Sequence, residues 1–209
     1  MTRLYDYWRS SASYRVRIAL NLLEIPFESV QVDLLAGEQK GAANLARNPQ
    51  GLVPTLEIDG RRLTQSLAIL EYLDETRDAG FLPEDAAGRA RVRALAYAIA
   101  MEIHPVCNSS VSAHVVKASN GAITAEAWMA HFIGPRLAAF DAMLDDPATG
   151  RFCHDDRVTL ADICLVPQLY NARRWNVDVT SLKRLQAVAA RLEALPAFEA
   201  AHPDHYKPA

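Results

Sequence analysis

The chain has 209 residues, half of them apolar, which is enough to bury the core of one large domain or two domains of moderate size. A formal charge of −3 and an isoelectric point near 6.1 argue against a nucleic-acid binder, because the densest basic cluster, at 89–93, is typical of a solvated helix face. Three cysteines without metal-ligand spacing, and no apolar run of membrane-spanning length, predict a soluble cytoplasmic protein with reduced thiols and no membrane partner.

The first predicted strand, residues 4–7, runs into a hydroxyl-rich turn and then an amphipathic helix. Ser10, Ser11 and Ser13 in this turn are typical helix-capping residues, but a helix start with a free hydroxyl also suits a bound anion. No cysteine lies in the turn, so a sulfur anion held there has to arrive on a ligand, and glutathione is the common cellular thiol of that kind. The residues alone leave capping and anion binding both open.

Strand signals continue to about residue 64. Residues 29–33 are predicted as a second strand, and the loop at 48–54 leads into a third strand that begins at Thr55. Asp59-Gly60 predicts a hairpin turn, and Ser66 lies near the start of a helix with an apolar stripe. The predicted order is therefore β-α-β-(α)-β-β-α.

Alanine-rich helical segments follow a linker at 78–85. These segments cover about 87–118, 124–145, 159–174 and 182–195. Thr159 and Asp162 have the spacing of a capping box, so we interpret Asp162 as structural and not catalytic. The tail, 202–209, contains two prolines and is expected to fray.

Several separated motifs give the chain a family resemblance. They are the serine-rich helix start at 10–20, Asn-Pro-Gln-Gly-Leu-Val-Pro at 48–54, Gln-Ser-Leu-Ala-Ile at 65–69, Ile-His-Pro at 103–105, and the stretches 158–168 and 171–178. In this order they resemble glutathione transferases, and most closely the zeta class, which includes maleylacetoacetate isomerases and is similar to bacterial maleylpyruvate isomerases. The resemblance implies an α/β plus all-α protein and a homodimer. It divides the chain into a thioredoxin-like glutathione-binding domain, 1–80, and an all-helical acceptor-substrate domain, 86–209.

The resemblance also implies an activity. A maleylacetoacetate isomerase converts maleylacetoacetate to fumarylacetoacetate in tyrosine and phenylalanine catabolism, and it regenerates the glutathione that it uses as cofactor. A maleylpyruvate isomerase differs only in the acceptor. A conjugating or dehalogenating transferase would consume glutathione, and a non-catalytic binder would not activate its sulfur. The sequence leaves these alternatives open.

The glutathione-binding residues come from the resemblance, residue by residue. Ser10 matches the serine that hydrogen-bonds the sulfur, and Ser11 is the neighbour that could share this role. Pro54 would follow a cis peptide bond, with the Val53 backbone pairing with the cysteinyl part of the tripeptide, although a trans turn is equally compatible with the residues themselves.

The remaining ligand contacts are carried over in the same way. Gln65 and Ser66 would bind the γ-glutamyl carboxylate at a helix start, and Gln39 would contact the glycyl end. His104 and Asn108 match family positions near glutathione, but Ser109-Ser110 stands where many bacterial relatives have a basic residue, which puts the particular diacid in doubt.

Cationic residues are the candidates for the acceptor side. A maleyl diacid needs donors for its carboxylates and for the enolate that forms on thiol addition, which favours Arg9, Arg174 and His104. Each could instead be a solvated or packing residue. One further departure is Ala12, since many zeta members have cysteine there.

Overall fold

The computed structural model describes residues 1–208. The chain forms two compact units. The first comprises Met1–Phe81 together with the residues from Ala194 onward, and the second is Leu82–Glu193.

A four-stranded sheet forms the centre of the first unit. Its strands are β1 (Thr2–Asp6), β2 (Phe27–Gln31), β3 (Thr55–Ile58) and β4 (Arg61–Thr64), in the spatial order β2-β1-β3-β4. Strand β1 is parallel to β2 and antiparallel to β3, and β3 pairs with β4 as a hairpin. The predicted order of elements is confirmed, although β1 and β2 both begin two residues earlier than predicted, where Thr2 pairs with Phe27.

The helices follow the sequence pattern with one major exception. Within residues 1–208 they are α1 (Ser11–Leu22), α2 (Ala42–Leu45), α3 (Ser66–Arg77), α4 (Ala86–Ala100), α5 (Ser109–Ala118), α6 (Ala125–Met143), α7 (Leu160–Arg174), α8 (Lys183–Glu193) and α9 (Pro196–Ala200). The predicted helical segment at 87–118 is confirmed for α4 and α5 but is wrong as one continuous helix, because residues 101–107 form turns between them. Pro105 lies in this stretch, lacks a backbone N–H and disfavours a helical conformation for the residue before it. None of the helices is long and apolar enough to cross a membrane.

The core of the first unit includes residues from both ends of the chain. Helix α9 packs against α1: Tyr14 donates a hydrogen bond to the carbonyl of Phe198 at 3.5 Å, and Asn21 donates one to the carbonyl of Ala197 at 3.3 Å. The second compact unit thus ends at Glu193, and α9 belongs to the first unit. The expected fraying of the tail is wrong for Pro203–Tyr206, which form a 3-10 turn in which Pro203 is buried and the Tyr206 ring stacks on Phe27. Residue 209 lies outside the described residues.

In the second unit, α4 packs against α7, which is buried along most of its length. The predicted capping box at the start of α7 is confirmed. The Asp162 carboxylate accepts from the backbone N–H and the hydroxyl of Thr159, both at 2.7 Å, and from the backbone N–H of Cys153 at 2.9 Å. Burial raises the pKa of this carboxyl group above its usual range, while the hydrogen bonds oppose that rise.

Candidate active site

One edge of the sheet gathers segments that are distant in sequence. Tyr5 near the end of β1 lies opposite Thr55 at the start of β3, and Thr55 lies opposite Thr64 at the end of β4. The turn after β1, the Val53-Pro54 segment before β3 and the helix start after β4 therefore all leave the sheet at the same edge. Seven of the predicted site residues lie on the segments that meet here: Arg9, Ser10, Ser11, Val53, Pro54, Gln65 and Ser66.

Ser10 is the N-cap residue of α1. Its backbone is extended, and its Oγ accepts a hydrogen bond from the backbone N–H of Ser13 at 3.3 Å. A hydroxyl has one proton and two lone pairs, so capping uses an acceptor site and leaves the proton available to a ligand. Ser11 is the first residue of α1 and is buried. Capping and anion binding are thus compatible at Ser10.

The peptide bond between Val53 and Pro54 is cis, as the resemblance implied. Val53 is half-buried and Pro54 is buried. Within residues 1–208, no hydrogen bond joins the Val53 backbone to another residue. A backbone N–H and carbonyl in this position suit an extended peptide that pairs with Val53, just before the start of β3.

The start of α3 lies next to this segment in the sheet register. Ser66 is the first residue of α3, and its hydroxyl oxygen accepts a hydrogen bond from Arg15 at 3.3 Å. Gln65, just before it, has a φ of 67° and a ψ of 111°, an unusual conformation for a residue with a side chain. Its Nε2 donates to Oε1 of Gln50 at 2.8 Å. The free N–H groups of the first helical turn and the Arg15 cation favour an anionic group here.

Gln39 lies close to the 48–54 loop, which leads to the same edge of the sheet. Gln39 lies in a 3-10 turn, Glu38–Lys40, and its carbonyl accepts from Asn44 at 2.9 Å. A Cβ added to Gly51, whose φ is 65°, would lie 3.3 Å from that carbonyl oxygen, so the loop passes close to the turn. Within residues 1–208, Oε1 of Gln39 is buried and has no hydrogen-bond partner. This orphaned acceptor fits a ligand N–H.

Arg9 immediately precedes the capping serine. It donates to the hydroxyl of Tyr7 at 3.1 Å, and its guanidinium carbon lies 4.8 Å from the centroid of the Trp8 ring. These contacts hold the side chain beside its own turn. Its Nε is buried and has no partner in the described part of the chain, so this donor suits a carboxylate or enolate oxygen.

The other predicted site residues belong to the second unit. His104 is half-buried in the turn between α4 and α5. Asn108 is the N-cap of α5, where its Oδ1 accepts from the backbone N–H of Ser110 at 3.0 Å and from its hydroxyl at 2.9 Å. Arg174 is exposed at the end of α7, donates to Oδ1 of Asn171 at 3.1 Å and stacks 4.9 Å above the Trp175 ring.

Two contributors to the edge were missed by the sequence reasoning, namely Arg15 and Gln50. Arg15 is almost fully buried and contacts Ser66 across 51 residues of sequence. A signal was present, because Arg15 and Arg17 interrupt the apolar stripe of α1, and a cation is rarely buried without a partner. Gln50 offers no comparable signal in an exposed loop.

Comparison with known families matches residues 9–76 to the glutathione S-transferase N-terminal domain. This stretch contains every predicted site residue of the first unit. The family match, the strand order of the sheet and the helical second unit together define a glutathione transferase. The chain is 61% identical to the maleylacetoacetate isomerase of Rhizobium meliloti (strain 1021), over 99% of this chain and 98% of the relative. The chain belongs to the maleylacetoacetate isomerase family of zeta-class glutathione transferases, and the predicted family and fold class are confirmed.

Two solved structures agree with this assignment. One is a maleylpyruvate isomerase described as a bacterial zeta-class glutathione S-transferase; it is 42% identical, with a TM-score of 0.92 over 96% of each chain. The other is the maleylacetoacetate isomerase of Anaeromyxobacter dehalogenans 2CP-1, with dicarboxyethyl glutathione and citrate bound in its active site. It is 46% identical, with a TM-score of 0.87 over 100% of this chain and 96% of that chain.

Proposed function

We propose that this protein is a glutathione-dependent cis–trans isomerase that converts maleylacetoacetate to fumarylacetoacetate in the catabolism of tyrosine and phenylalanine. The observation that carries the proposal is the shared sheet edge, which combines the Ser10 hydroxyl, the start of α3 and a Val53 backbone that pairs with no other residue within 1–208. The first unit would bind glutathione, and the second would supply the acceptor-substrate residues.

The residues of the edge fit the parts of the tripeptide. The Val53 N–H and carbonyl would pair with the cysteinyl residue, as in an added strand. Ser66 and the N–H groups of the first turn of α3 would hold the γ-glutamyl carboxylate, with Gln65 beside them. The buried Oε1 of Gln39, which has no partner within residues 1–208, would accept a hydrogen bond from the glycyl end.

Ser10 would set the ionisation of the glutathione sulfur. Its hydroxyl proton, free of the capping bond, would donate to the sulfur, and the start of α1 adds a positive potential. Both effects stabilise the anion over the neutral thiol and so lower the thiol pKa. When bound, glutathione supplies a thiolate that adds reversibly to the maleyl double bond, which allows rotation and then elimination to the fumaryl form.

Arg9 would bind an oxygen of the diacid or of its enolate, since its Nε is buried beside Ser10 and has no partner within the described chain. Arg174 and His104 would supply further hydrogen-bond donors to the diacid. Asn108 would lie near glutathione, as the family resemblance implies. A fixed donor is worth several kcal/mol at a developing enolate because it needs no reorganisation during the reaction. The relative that binds dicarboxyethyl glutathione supports a site for two carboxylates next to the tripeptide.

The predicted assembly and location form part of the same proposal. We expect a homodimer, as the family resemblance implies. We also expect a cytoplasmic enzyme, because Cys107, Cys153 and Cys164 are buried and are not joined in disulfides within residues 1–208, as in a reducing compartment.

A second candidate activity is maleylpyruvate isomerisation, which the structural match to a maleylpyruvate isomerase favours. The experiment that tests both supplies each cis substrate with and without glutathione, and follows the fumaryl product by chromatography together with the total glutathione. We expect faster turnover of maleylacetoacetate, strict dependence on glutathione and a constant amount of glutathione. Stoichiometric loss of glutathione would identify a conjugating transferase, and absence of turnover with both substrates would contradict the proposal.

A further inference from the structure

Arg17 is a fully buried cation in α1, two turns after Ser10. One terminal nitrogen forms an ion pair with Asp6, also fully buried, at 2.7 Å. The other terminal nitrogen donates to the backbone carbonyl of Trp8 at 2.9 Å, and Nε donates to the carbonyl of Ala201 at 3.1 Å. Each nitrogen of the guanidinium thus contacts a different segment of the first unit.

Two of these contacts fix the turn that carries Arg9 and Ser10. Asp6 is the last residue of β1, and the Trp8 carbonyl lies in the middle of the turn. The backbone N–H of Trp8 also donates to Oε1 of Gln31 at 3.2 Å, and that of Ser10 donates to the carbonyl of Tyr7 at 2.8 Å. The Trp8 backbone is therefore held at both its N–H and its carbonyl. Arg17 is the charged donor among these hydrogen bonds.

The third contact comes from residues 194–208, which we term the return segment. Besides the Ala201 carbonyl, this segment places the Tyr206 ring 4.4 Å from the guanidinium carbon of Arg17. Tyr206 also stacks nearly parallel on Phe27 of β2, with ring centroids 6.3 Å apart. A ring face attracts a desolvated cation through the ring quadrupole. The return segment therefore completes the surroundings of Arg17.

We propose that the return segment, acting through Arg17, positions the turn that carries Ser10 and Arg9, so that Tyr206 and Arg17 are positioning residues for the reaction although neither contacts the substrate. The proposal rests on the proposed function, since it assigns the turn to thiolate activation. A buried guanidinium that loses a partner moves towards another donor or acceptor, because an unpaired buried charge is costly. Since the same group bonds the Trp8 carbonyl, its displacement moves the turn.

Tyr206 offers a test that spares the buried ion pair. Tyr206→Leu removes the ring over Arg17 but keeps an apolar side chain, while Tyr206→Phe keeps the ring. His205→Ala is the matched control, because His205 is an exposed neighbour that contacts Glu199 within the same segment. The purified full-length variants are compared by two measurements, hydrogen exchange of the ligand-free protein and the thiolate absorbance of bound glutathione at about 240 nm.

For Tyr206→Leu we expect amide exchange in the peptide that covers 7–11 to be at least ~5-fold faster than in the parent protein, as local opening becomes easier. At pH 6.5 and saturating glutathione, we expect a drop of at least ~3-fold in thiolate absorbance, because the displaced Ser10 hydroxyl would donate less effectively to the glutathione sulfur. Tyr206→Phe and His205→Ala should stay within about twofold of the parent in both measurements.

Two results would overturn the proposal: unchanged exchange at 7–11 in Tyr206→Leu, or faster exchange with unchanged thiolate absorbance, which would make the return segment merely structural. A parent protein without any thiolate absorbance would contradict the proposed function instead. The exchange data, taken without ligand, still decide whether the segment holds the turn, so the two failures are distinguishable.

Discussion

Arg15 donates a hydrogen bond to the hydroxyl oxygen of Ser66, 3.3 Å away, and so connects the first helix of the chain to the start of α3. Arg15 is almost fully buried, one turn after the N-cap Ser10. A cation in this position adds to the positive potential that both helix starts create. The edge of the sheet is thereby suited to an anionic ligand at two points, the sulfur near Ser10 and a carboxylate near Ser66.

Substitution of Ser10 tests the source of thiolate activation. We expect Ser10→Ala to lower kcat at least tenfold, corresponding to ~1.4 kcal/mol of barrier, because the donor to the sulfur is lost. The same change removes the capping bond to the N–H of Ser13, so unfolding should become easier by about 1 kcal/mol. Steady-state kinetics and urea denaturation measure the two effects separately.

Two variants serve as controls for this prediction. Ser10→Thr keeps a hydroxyl and should retain more activity than Ser10→Ala. Ser11→Ala removes the neighbouring hydroxyl and should stay within about twofold of the parent. A Ser10→Ala enzyme with near-normal kcat, combined with a tenfold loss in Ser11→Ala, would transfer the role to Ser11.

Asp162 should affect stability and not catalysis. Asp162→Ala leaves the backbone N–H groups of Cys153 and Thr159 without their buried acceptor, so we expect a loss of about 3 kcal/mol in the free energy of unfolding. Glutathione affinity of the folded variant should be unchanged. Calorimetry and glutathione titration below the unfolding temperature check these two statements, and weaker binding with normal stability would contradict them.

The pH dependence of this effect has a defined sign. Burial raises the pKa of Asp162 in the folded state, so the folded protein binds the proton more tightly than the unfolded chain does. The stability that the folded protein gains from this tighter proton binding is complete below the unfolded pKa of about 4. It is lost as the pH rises through the folded pKa. The stability gap between the parent and the uncharged Asp162→Asn variant should therefore narrow from pH 4 upward.

The sequence predicted those features that depend on local pattern. The hairpin at Asp59-Gly60, the start of α3 at Ser66 and the Thr159-Asp162 capping box all follow from turn and cap chemistry. The cis bond before Pro54 came only from the family resemblance, since the residues themselves also permit a trans turn. The roles of the predicted site residues stay predictions.

Features that depend on distant contacts were not predictable. Nothing in residues 202–208 shows that Tyr206 packs over Arg17, because that contact joins opposite ends of the chain. The break between α4 and α5 also escaped prediction, although Pro105 provided a local signal, because the surrounding apolar periodicity continues through it. Local pattern thus predicted the elements, whereas the tertiary contacts around Arg15 and Arg17 required the structure.

The three cysteines should be inert in the folded protein. Burial raises the pKa of the Cys107 thiol to about 11, and the fully buried Cys153 is raised well above its usual value by burial and by Asp162. At pH 8 only about one Cys107 thiol in a thousand is then ionised, and the thiolate is the reactive form. With no cysteine at position 12, treatment with iodoacetamide before assay should leave activity unchanged.

A colorimetric thiol titration checks this prediction directly. The native protein should react with less than one equivalent of reagent within minutes, and the protein in guanidinium chloride should react with three equivalents. Rapid reaction of a native thiol with concurrent loss of activity would show that a cysteine serves the reaction after all.

The predicted dimer can be measured without any substrate. Glutathione transferases generally form two-fold dimers, so we expect light scattering to give twice the chain mass of 23.1 kDa at micromolar concentration. Dilution to nanomolar concentration should be needed before the mass falls. A mass equal to that of one chain at micromolar concentration would contradict the expectation.

Arg174 provides the cleanest test of the acceptor site, because it lies in the second unit, away in sequence from the residues that would bind glutathione. If it holds a substrate carboxylate, Arg174→Ala should raise the KM for the maleyl substrate or lower kcat by about tenfold, with the glutathione affinity nearly unchanged. Arg174→Lys should recover only part of the loss, since an ammonium cannot form the two-pronged contact of a guanidinium.

The neighbouring arginine is a matched control for charge and position. Arg173 is also exposed on α7 but forms an ion pair with Glu193 at 2.7 Å. Arg173→Ala removes the same net charge, so it should change the kinetics by less than twofold and the stability by less than about 1 kcal/mol. Equal effects of the two substitutions would show a general charge effect. Unaltered kinetics of Arg174→Ala with both maleylacetoacetate and maleylpyruvate would remove Arg174 from the site and leave Arg9 and His104 as the predicted cationic groups.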